Sequence, residues 1–354
     1  MSATTHDGPT ADLIGDARKY TKATLGLRIY AWATVAVMFG FLFNNYLTFW
    51  RQWPGFLTLM QNFELFGLGP LKAPLDSGEL MLALLQGLIY FVGFVGPVVF
   101  VLRSKSRTLR QDSLSLSALS TYIIRAAFWI VLLVGVADAV ISFLRVENFL
   151  PFLVSDELAQ GLAQSKFRAP LIHIPLMALS LIIAAFTRGL AFTWLALLVV
   201  AAEFAIVVTR FIFSYEQAFM GDLVRFWYAA LFLFASAYTL MEEGHVRVDV
   251  LYAGFRAKTK GRVNAIGAVL LGMGLCWVIL FMGMWGRANI INAPLLIFEV
   301  SQSGFGMYVK YLMAGFLAIF AVSMMVQFAS SLLESVADVR GDPGKRKLSG
   351  EIIH

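Results

Sequence analysis

Ionisable side chains cluster in one short connector of this apolar chain, MEEGHVRVDVLYAGFRAKTKGR, residues 241–262. His245 and Asp249 are four residues apart, so on a helix they would be neighbours, with Arg247 between them in sequence. The apolar residues at the helical spacing i, i+3, i+4 and i+7 are Val248, Leu251, Tyr252 and Phe255. This pattern predicts a short amphipathic helix on the membrane surface, with its basic residues near lipid phosphate. A solvated loop that only fixes the orientation of the chain is the alternative.

Two further acids, Asp138 and Glu203, lie inside long apolar runs. A carboxylate within a bilayer is costly unless it is paired, so it either couples transport to an ion or proton or forms a structural hydrogen bond. We expect the structural role for Asp138. Glu203 and Arg210 are seven residues apart and share one helical face. We expect them to pair with a partner protein, or with Asp222 and Arg225 on the next helix, rather than with a substrate.

Motifs of common enzymes are missing from the sequence. There is no GxxxxGK[ST] loop for nucleotide phosphates, no HExxH and no CxxC. Cys276 is the single cysteine. The chain has only four histidines, and two of them lie near its ends, so a di-haem bundle is not expected. His173, beside Pro175, is typical of a satisfied polar residue at a helix break. We therefore predict no catalytic residue, no cofactor and no metal site.

The composition predicts an all-α, polytopic integral membrane protein. Of 354 residues, 59% are hydrophobic and 14% charged, and the mean hydropathy is +0.75. About eight apolar runs are long enough to cross a hydrocarbon core of about 30 Å. They are Leu27–Phe49, Leu80–Leu102, Tyr122–Leu144, Pro170–Phe186, Leu190–Phe213, Leu223–Met241, Val263–Trp285 and Tyr308–Leu332. The fourth is short and leaves three interpretations open: one arm of a tight hairpin, part of one long broken helix, or a re-entrant segment.

The distribution of basic residues predicts the orientation. Nineteen lysines and arginines fall in the two tails and the even-numbered connectors, and nine fall on the opposite side, which together make the 28 in the chain. Because basic residues favour the cytoplasmic side, we expect both termini in the cytoplasm. The net charge of +6 then has an explanation that involves no nucleic acid. An apolar run in the outer connector at 50–79 is too short to span and is expected in the membrane interface.

The segment YTLMEEGHVRVDVLYAGFRAKTKGRVNAIGAVL resembles the small membrane (Q) subunit of tripartite ATP-independent periplasmic (TRAP) transporters. Within the connector, the residues that match the family pattern are Gly244, His245, Arg247, Val248 and Asp249. Upstream, Arg210 takes the place of the arginine that ends the family's first helix. Asp222 and Arg225 stand where the family has an acid and a base at the start of its second. Phe211 and Phe219 depart from the usual tyrosine and tryptophan but keep an aromatic ring.

The resemblance covers about residues 190–335 and implies a division of the chain. It gives a polar cytoplasmic tail at 1–26, a four-helix membrane extension at 27–189, a four-helix small-subunit domain at 190–335 and a polar tail at 336–354. It also implies a bacterial inner-membrane protein that does not transport alone. Its partners would be membrane lipids, a large membrane subunit that carries the ion-coupled path, and a periplasmic solute-binding protein that delivers an organic acid. The alternative is a self-sufficient secondary transporter with Asp138 and Glu203 as coupling carboxylates.

Overall fold

The computed structural model describes residues 21–188, 192–215, 219–242, 250–300 and 306–344, and this part of the chain is helical, without β-strands. Within these described residues, eight helices are long and apolar enough to cross a membrane, which confirms the predicted number. They are α1 (Lys22–Phe49), α2 (Ser77–Arg103), α3 (Leu109–Val146), α4 (Ser165–Phe186), α5 (Phe192–Phe213), α6 (Met220–Met241), α7 (Ala257–Met284) and α8 (Lys310–Arg340). The helices that extend furthest beyond the apolar runs that predicted them are α3, at its start, and α8, at its end, where polar residues continue the helix.

Side-chain caps determine where the first two helices begin. The Thr21 hydroxyl accepts a hydrogen bond from the backbone N–H of Thr24 at 3.4 Å, ahead of α1. Before α2, Asp76 and Glu79 form a reciprocal capping box. The Asp76 carboxylate accepts from the Glu79 N–H at 2.7 Å, and the Glu79 carboxylate accepts from the Asp76 N–H at 3.2 Å. Each cap satisfies backbone donors that have no partner inside the helix.

Short helices fill the connectors. The apolar run between α1 and α2 forms the helix Phe56–Asn62 and a 3-10 turn at Leu65–Gly67, and Phe66 exposes 90% of its surface. This exposure fits the predicted position in the membrane interface. The remaining short helices are Leu150–Leu153, Asp156–Leu162, Val250–Ala253 and Asn292–Ile297.

The fourth helix has an irregular first half. Residues Ala169–His173 form a π-helical segment between the α-helical parts Ser165–Arg168 and Ile174–Phe186. Proline at 170 and at 175 removes backbone donors from the α-helical pattern here, which allows the wider turn. The helix ends at Phe186, because Thr187 adopts an extended conformation with φ −84° and ψ 137°. At 22 residues, α4 is long enough to span, and α5 is a separate candidate span.

The helices divide into two compact units. The first contains Met1–Ser117, Met241–Gly274 and Met325–His354, and the second contains Ala118–Leu240 and Leu275–Met324. Each unit therefore combines segments of the predicted N-terminal extension with segments of the small-subunit region. The helices α3, α7 and α8 contribute residues to both.

In the first unit, α1 and α2 pack closely. A side-chain carbon at Gly93 would lie 3.6 Å from the Ala36 carbonyl oxygen, which shows how near the two backbones approach. The buried Gln86 amide donates hydrogen bonds to Asn44 at 2.8 Å and to Thr48 at 3.0 Å. Bonds of this kind hold membrane helices together, because water is not available to satisfy the same groups.

The first unit also joins α3 to α8 through small polar residues. The hydroxyl of Ser330 lies 2.9 Å from that of Ser113 and 2.8 Å from that of Ser117. It also donates to the backbone carbonyl of Ser113 at 2.8 Å. All three serines are buried. A helix of the predicted extension is therefore bonded to the last helix of the small-subunit region.

The second unit contains an apolar core of buried side chains. Phe316 on α8 is at its centre, with ring centroids 5.1 Å from Phe226 and 5.0 Å from Phe234, both on α6. Further buried side chains come from α3 and α5, including Ile124, Phe128, Val131, Leu195 and Val199. Apolar packing of α3, α5, α6 and α8 thus forms the surroundings in which the charged residues of this unit are placed.

Candidate functional site

The family-like connector lies partly outside the described residues. Gly244, His245, Arg247 and Asp249 belong to the stretch 243–249, which the structure does not describe. Beyond it, the described chain is helical at Val250–Ala253, and Gly254 follows. The Tyr252 hydroxyl donates to Asn264 at 3.0 Å, and the Lys260 ammonium lies 5.2 Å from the centre of the Tyr252 ring. The end of the connector is thereby held against the first turns of α7.

Asp222 and Arg225, predicted from the family pattern, lie together in the first turn of α6. The Asp222 carboxylate accepts from Arg225 at 3.4 Å and from the backbone N–H of Met307 at 3.1 Å. An acid at this position also interacts favourably with the helix dipole. Arg225 is largely exposed, so its pair with Asp222 contributes little by itself. The bond to Met307 holds the chain before α8 against α6. Arg210 lies in the last turn of α5 with its side chain exposed.

Asp138 is the centre of a buried charge cluster in the second unit. One carboxylate oxygen accepts from the Arg168 guanidinium at 2.8 Å and contacts the His173 Nε2 at 3.1 Å. The other oxygen accepts from the backbone N–H of Tyr308 at 2.7 Å. The Nδ1 of His173 lies 2.8 Å from the Tyr311 hydroxyl. With a proton on Nε2, the neutral ring donates to Asp138 and accepts from Tyr311.

A second set of contacts fixes Arg168. Its Nε donates to the Leu162 carbonyl at 2.7 Å, and its guanidinium lies 4.2 Å from the centre of the Tyr308 ring. Arg145 bonds the hydroxyl of the same tyrosine and donates to the Gly306 carbonyl at 3.0 Å. The cluster therefore joins the end of α3, the start of α4 and the chain entering α8. Asp138 lies near the end of α3 beside connector residues, rather than at the middle of the helix.

This geometry suits a fixed charge pair. Asp138, Arg168 and His173 are fully buried. The carboxylate has three donors around it, so the charge is compensated within the chain. A coupling carboxylate must instead exchange an ion or proton with water along a path. Among the described residues, no group of three or more His, Cys, Asp or Glu side chains could hold a metal ion.

Glu203 has different surroundings from Asp138. It lies near the middle of α5 with its side chain exposed, and no bond to another described residue satisfies it. Of the predicted site residues, the structure thus brings together Asp222 and Arg225. It places Asp138 in a buried cluster and leaves Glu203 on an outward face.

Two ion-pair groups in the first unit were not predicted as sites. The buried Asp112 carboxylate bonds Arg28 at 2.6 Å and Arg107 at 2.9 Å. Arg110 pairs with Glu334 and, at 2.9 Å, with Asp338. The sequence RSKSRTLR was interpreted only as an orientation signal, because Arg110 finds its acids more than 220 residues later in the chain. Asp112, just after this sequence, likewise finds Arg28 84 residues earlier. The one sequence feature that could have indicated these ion pairs is the acid Asp112, which closely follows the basic run.

Comparison with protein families gives one match. Residues 198–338 match the family described as tripartite ATP-independent periplasmic transporters, DctQ component. Comparison with curated proteins and with solved structures found no match. The matched range begins within α5 and ends within α8, close to the predicted 190–335, and it leaves α1 to α4 outside.

The DctQ family is the small membrane component of tripartite complexes that also contain a large DctM subunit and a periplasmic binding protein. Its members are inner-membrane proteins, in agreement with the eight apolar helices found here. Residues 198–338 of this chain are therefore similar to the DctQ family of TRAP transporter small membrane components, and the helices α1 to α4 precede this range.

Proposed function

We propose that this chain is the non-catalytic small subunit that supports the large subunit of a TRAP-type, ion-gradient-driven transporter for organic acids. The family match over residues 198–338 is the observation that carries the proposal. The chain performs no enzymatic step and holds no cofactor. Its role is to provide a rigid membrane surface on which the large subunit works.

The buried charge cluster supports a structural role. Asp138 is occupied by Arg168, His173 and a backbone N–H, and all of its side chain is inaccessible. Releasing it for ion coupling would leave the Arg168 charge buried without its partner, which is strongly unfavourable. The cluster is therefore better suited to hold three elements in place than to bind and release a proton.

The proposal assigns the family-like residues to assembly. His245, Arg247 and Asp249 would bond each other, lipid phosphate or the large subunit at the cytoplasmic face. On the opposite side of the membrane, Arg210 at the end of α5 would contribute to the same assembly.

Uptake in proteoliposomes tests this function. The purified chain alone, the large subunit alone and the two together are reconstituted, with the cognate binding protein and a sodium or proton gradient. We expect organic-acid uptake only when both membrane subunits and the binding protein are present. Gradient-driven uptake by the isolated chain would contradict the proposal and favour a self-sufficient transporter.

A further inference from the structure

The outward face of α5 carries a regular seam of large apolar residues. Leu197, Val200, Phe204, Val207 and Phe211 follow each other at alternating spacings of three and four residues. Each exposes between 48% and 79% of its surface. This 3.5-residue repeat is the pattern by which one helix packs lengthwise against another, at a crossing angle of about 20°. The other side of the same helix, with Leu195, Val199 and Ala202, is buried in the second unit.

The spacing of the seam corresponds to a seven-residue (heptad) repeat, and Glu203 lies at a position that directly flanks the seam. It is eleven residues after Phe192 and ten before Phe213, which places it about 16 Å along the helix at 1.5 Å per residue. A carboxylate at that depth in hydrocarbon is unfavourable without a donor. None of the described residues supplies one. The flanking positions of packed helices are those at which charged pairs form between two helices.

An exposed apolar face alone would be explained by lipid, as α2 shows. Its outward residues include Leu88, Phe91 and Phe94, all more than half exposed. Between Glu79 and Arg103, however, α2 contains no Asp, Glu, Lys, Arg or His. That face is fully compatible with acyl chains. The face of α5 differs because acyl chains cannot satisfy the Glu203 carboxylate.

A second copy of this chain does not satisfy Glu203 either. Two copies in one membrane have the same orientation, so a pair of α5 helices related by twofold symmetry would be parallel. In parallel packing, a flanking residue at position 203 faces the flanking residue five positions later in the other helix. That residue is Val208, which has no donor to offer.

We propose that the α5 seam is the docking surface for a membrane helix of the large subunit, and that this partner helix places a Lys or Arg side chain against Glu203. This inference rests on the proposed function. It adds which surface of the chain makes the contact and which chemistry the partner must present. The small subunit would then recognise its partner by a charge that is satisfied only after assembly.

Photo-crosslinking tests the position of the surface. p-Benzoylphenylalanine replaces Phe204 or Phe211 on α5, or Phe91 or Phe94 on α2 as matched controls, in the chain co-expressed with its tagged large subunit. The four phenylalanines are similarly exposed, from 57% to 79%. We expect an adduct of the combined mass of the two subunits from the α5 positions and only lipid labelling from the α2 positions. Adducts from α2 alone, or an adduct of two small subunits from α5, would overturn the proposal.

Substitution of Glu203 tests the chemistry. The amount of large subunit recovered with the tagged chain is measured for the wild type, E203D, E203Q and E203K. We expect E203Q to lower the recovery at least about threefold and E203K to lower it further, because the partner's cation loses its counter-charge. E203D, which keeps the charge, should remain closest to the wild type. Equal recovery with all four side chains would show that no basic partner faces Glu203.

The two proposals fail in different ways. If the wild-type chain does not recover the large subunit at all, the proposed function is wrong. If the wild type recovers it but neither the α5 crosslinks nor the Glu203 series behave as expected, only the docking surface is wrong. Expression in membranes of each variant, measured in parallel, separates loss of assembly from loss of folding.

Discussion

At the residue scale, the two carboxylates inside apolar helices, Asp138 and Glu203, have opposite surroundings. Asp138 is surrounded by donors from its own chain, whereas Glu203 is presented outward. A buried ion pair is often no more stabilising than an apolar pair of similar volume, but removal of one partner leaves an uncompensated charge and is strongly destabilising. The two residues therefore predict different defects: loss of Asp138 damages the chain itself, and loss of Glu203 damages its assembly.

Replacement of Asp138 tests this distinction. D138L leaves Arg168 buried without a counter-charge, and we expect a loss of about 3–5 kcal/mol in the free energy of unfolding. The measurement is thermal unfolding of the purified chain in detergent. K166M, which removes an exposed charge two residues before Arg168, is the control and should have little effect. The double variant D138L/R168M should recover most of the loss, and a double variant no more stable than D138L would contradict the role given to the pair.

At the element scale, close packing of α7 and α8 depends on particular glycines. Four glycines of α7, Gly267, Gly272, Gly274 and Gly283, lie where a missing side chain can let another helix approach closely. The structure distinguishes among them: a side-chain carbon at Gly272 would lie 2.6 Å from the ring of Phe328, whereas one at Gly267 would meet nothing within 4 Å. At Gly261, near the start of α7, that carbon would lie 2.8 Å from the backbone carbonyl oxygen of Ser335.

Alanine substitutions at these positions should distinguish the effect of helix packing on stability from the effect of helix propensity. Alanine is favoured over glycine in a helix by about 1 kcal/mol, so G267A should keep or raise the melting temperature. G261A should lower it, because relief of contact with a backbone atom requires the helices to shift, at a cost of about 1–3 kcal/mol. Both variants are compared with the wild type by thermal unfolding in the same detergent. A G261A protein as stable as G267A would show that α7 and α8 do not pack this closely.

At the scale of the whole molecule, the extension and the family region are joined within each compact unit. In the first unit, Ser113 and Ser117 of α3 bond Ser330 of α8. In the second, Asp138 of α3 bonds the backbone of Tyr308, just before α8 begins. The extension of four helices, α1 to α4, thus satisfies polar groups that belong to the family region. We propose that its role includes stabilising that region.

A split protein tests this dependence. Residues 190–354 expressed alone should accumulate poorly in membranes, because the polar groups of α8 lose their partners on α3. Co-expression of residues 1–189 as a separate chain should restore the yield, since the contacts between the pieces are not covalent. Deletion of residues 1–20 serves as the control and should leave the yield unchanged. If residues 190–354 alone are as stable and abundant as the intact chain, the extension has a role other than support.

The sequence by itself determined the helical membrane fold and the number of spans. A bilayer requires about 20 apolar residues per helix and requires each segment to satisfy its own backbone hydrogen bonds, so composition and run length were enough. The local motif around residues 244–249 likewise indicated the family whose model matches residues 198–338. Both signals are local in sequence.

Only the tertiary structure decided which charges are compensated. Asp138 finds its donors 30 and 170 residues away, and Arg110 finds its acids more than 220 residues away. Spacing along one helix predicts neighbours on that helix but says nothing about which other helix packs beside it. For the same reason, the sequence left Asp138 and Glu203 together as the coupling carboxylates of the alternative, self-sufficient transporter. Packing of α3 with α4 and α8 enclosed the first, and the outward position of its face of α5 left the second exposed.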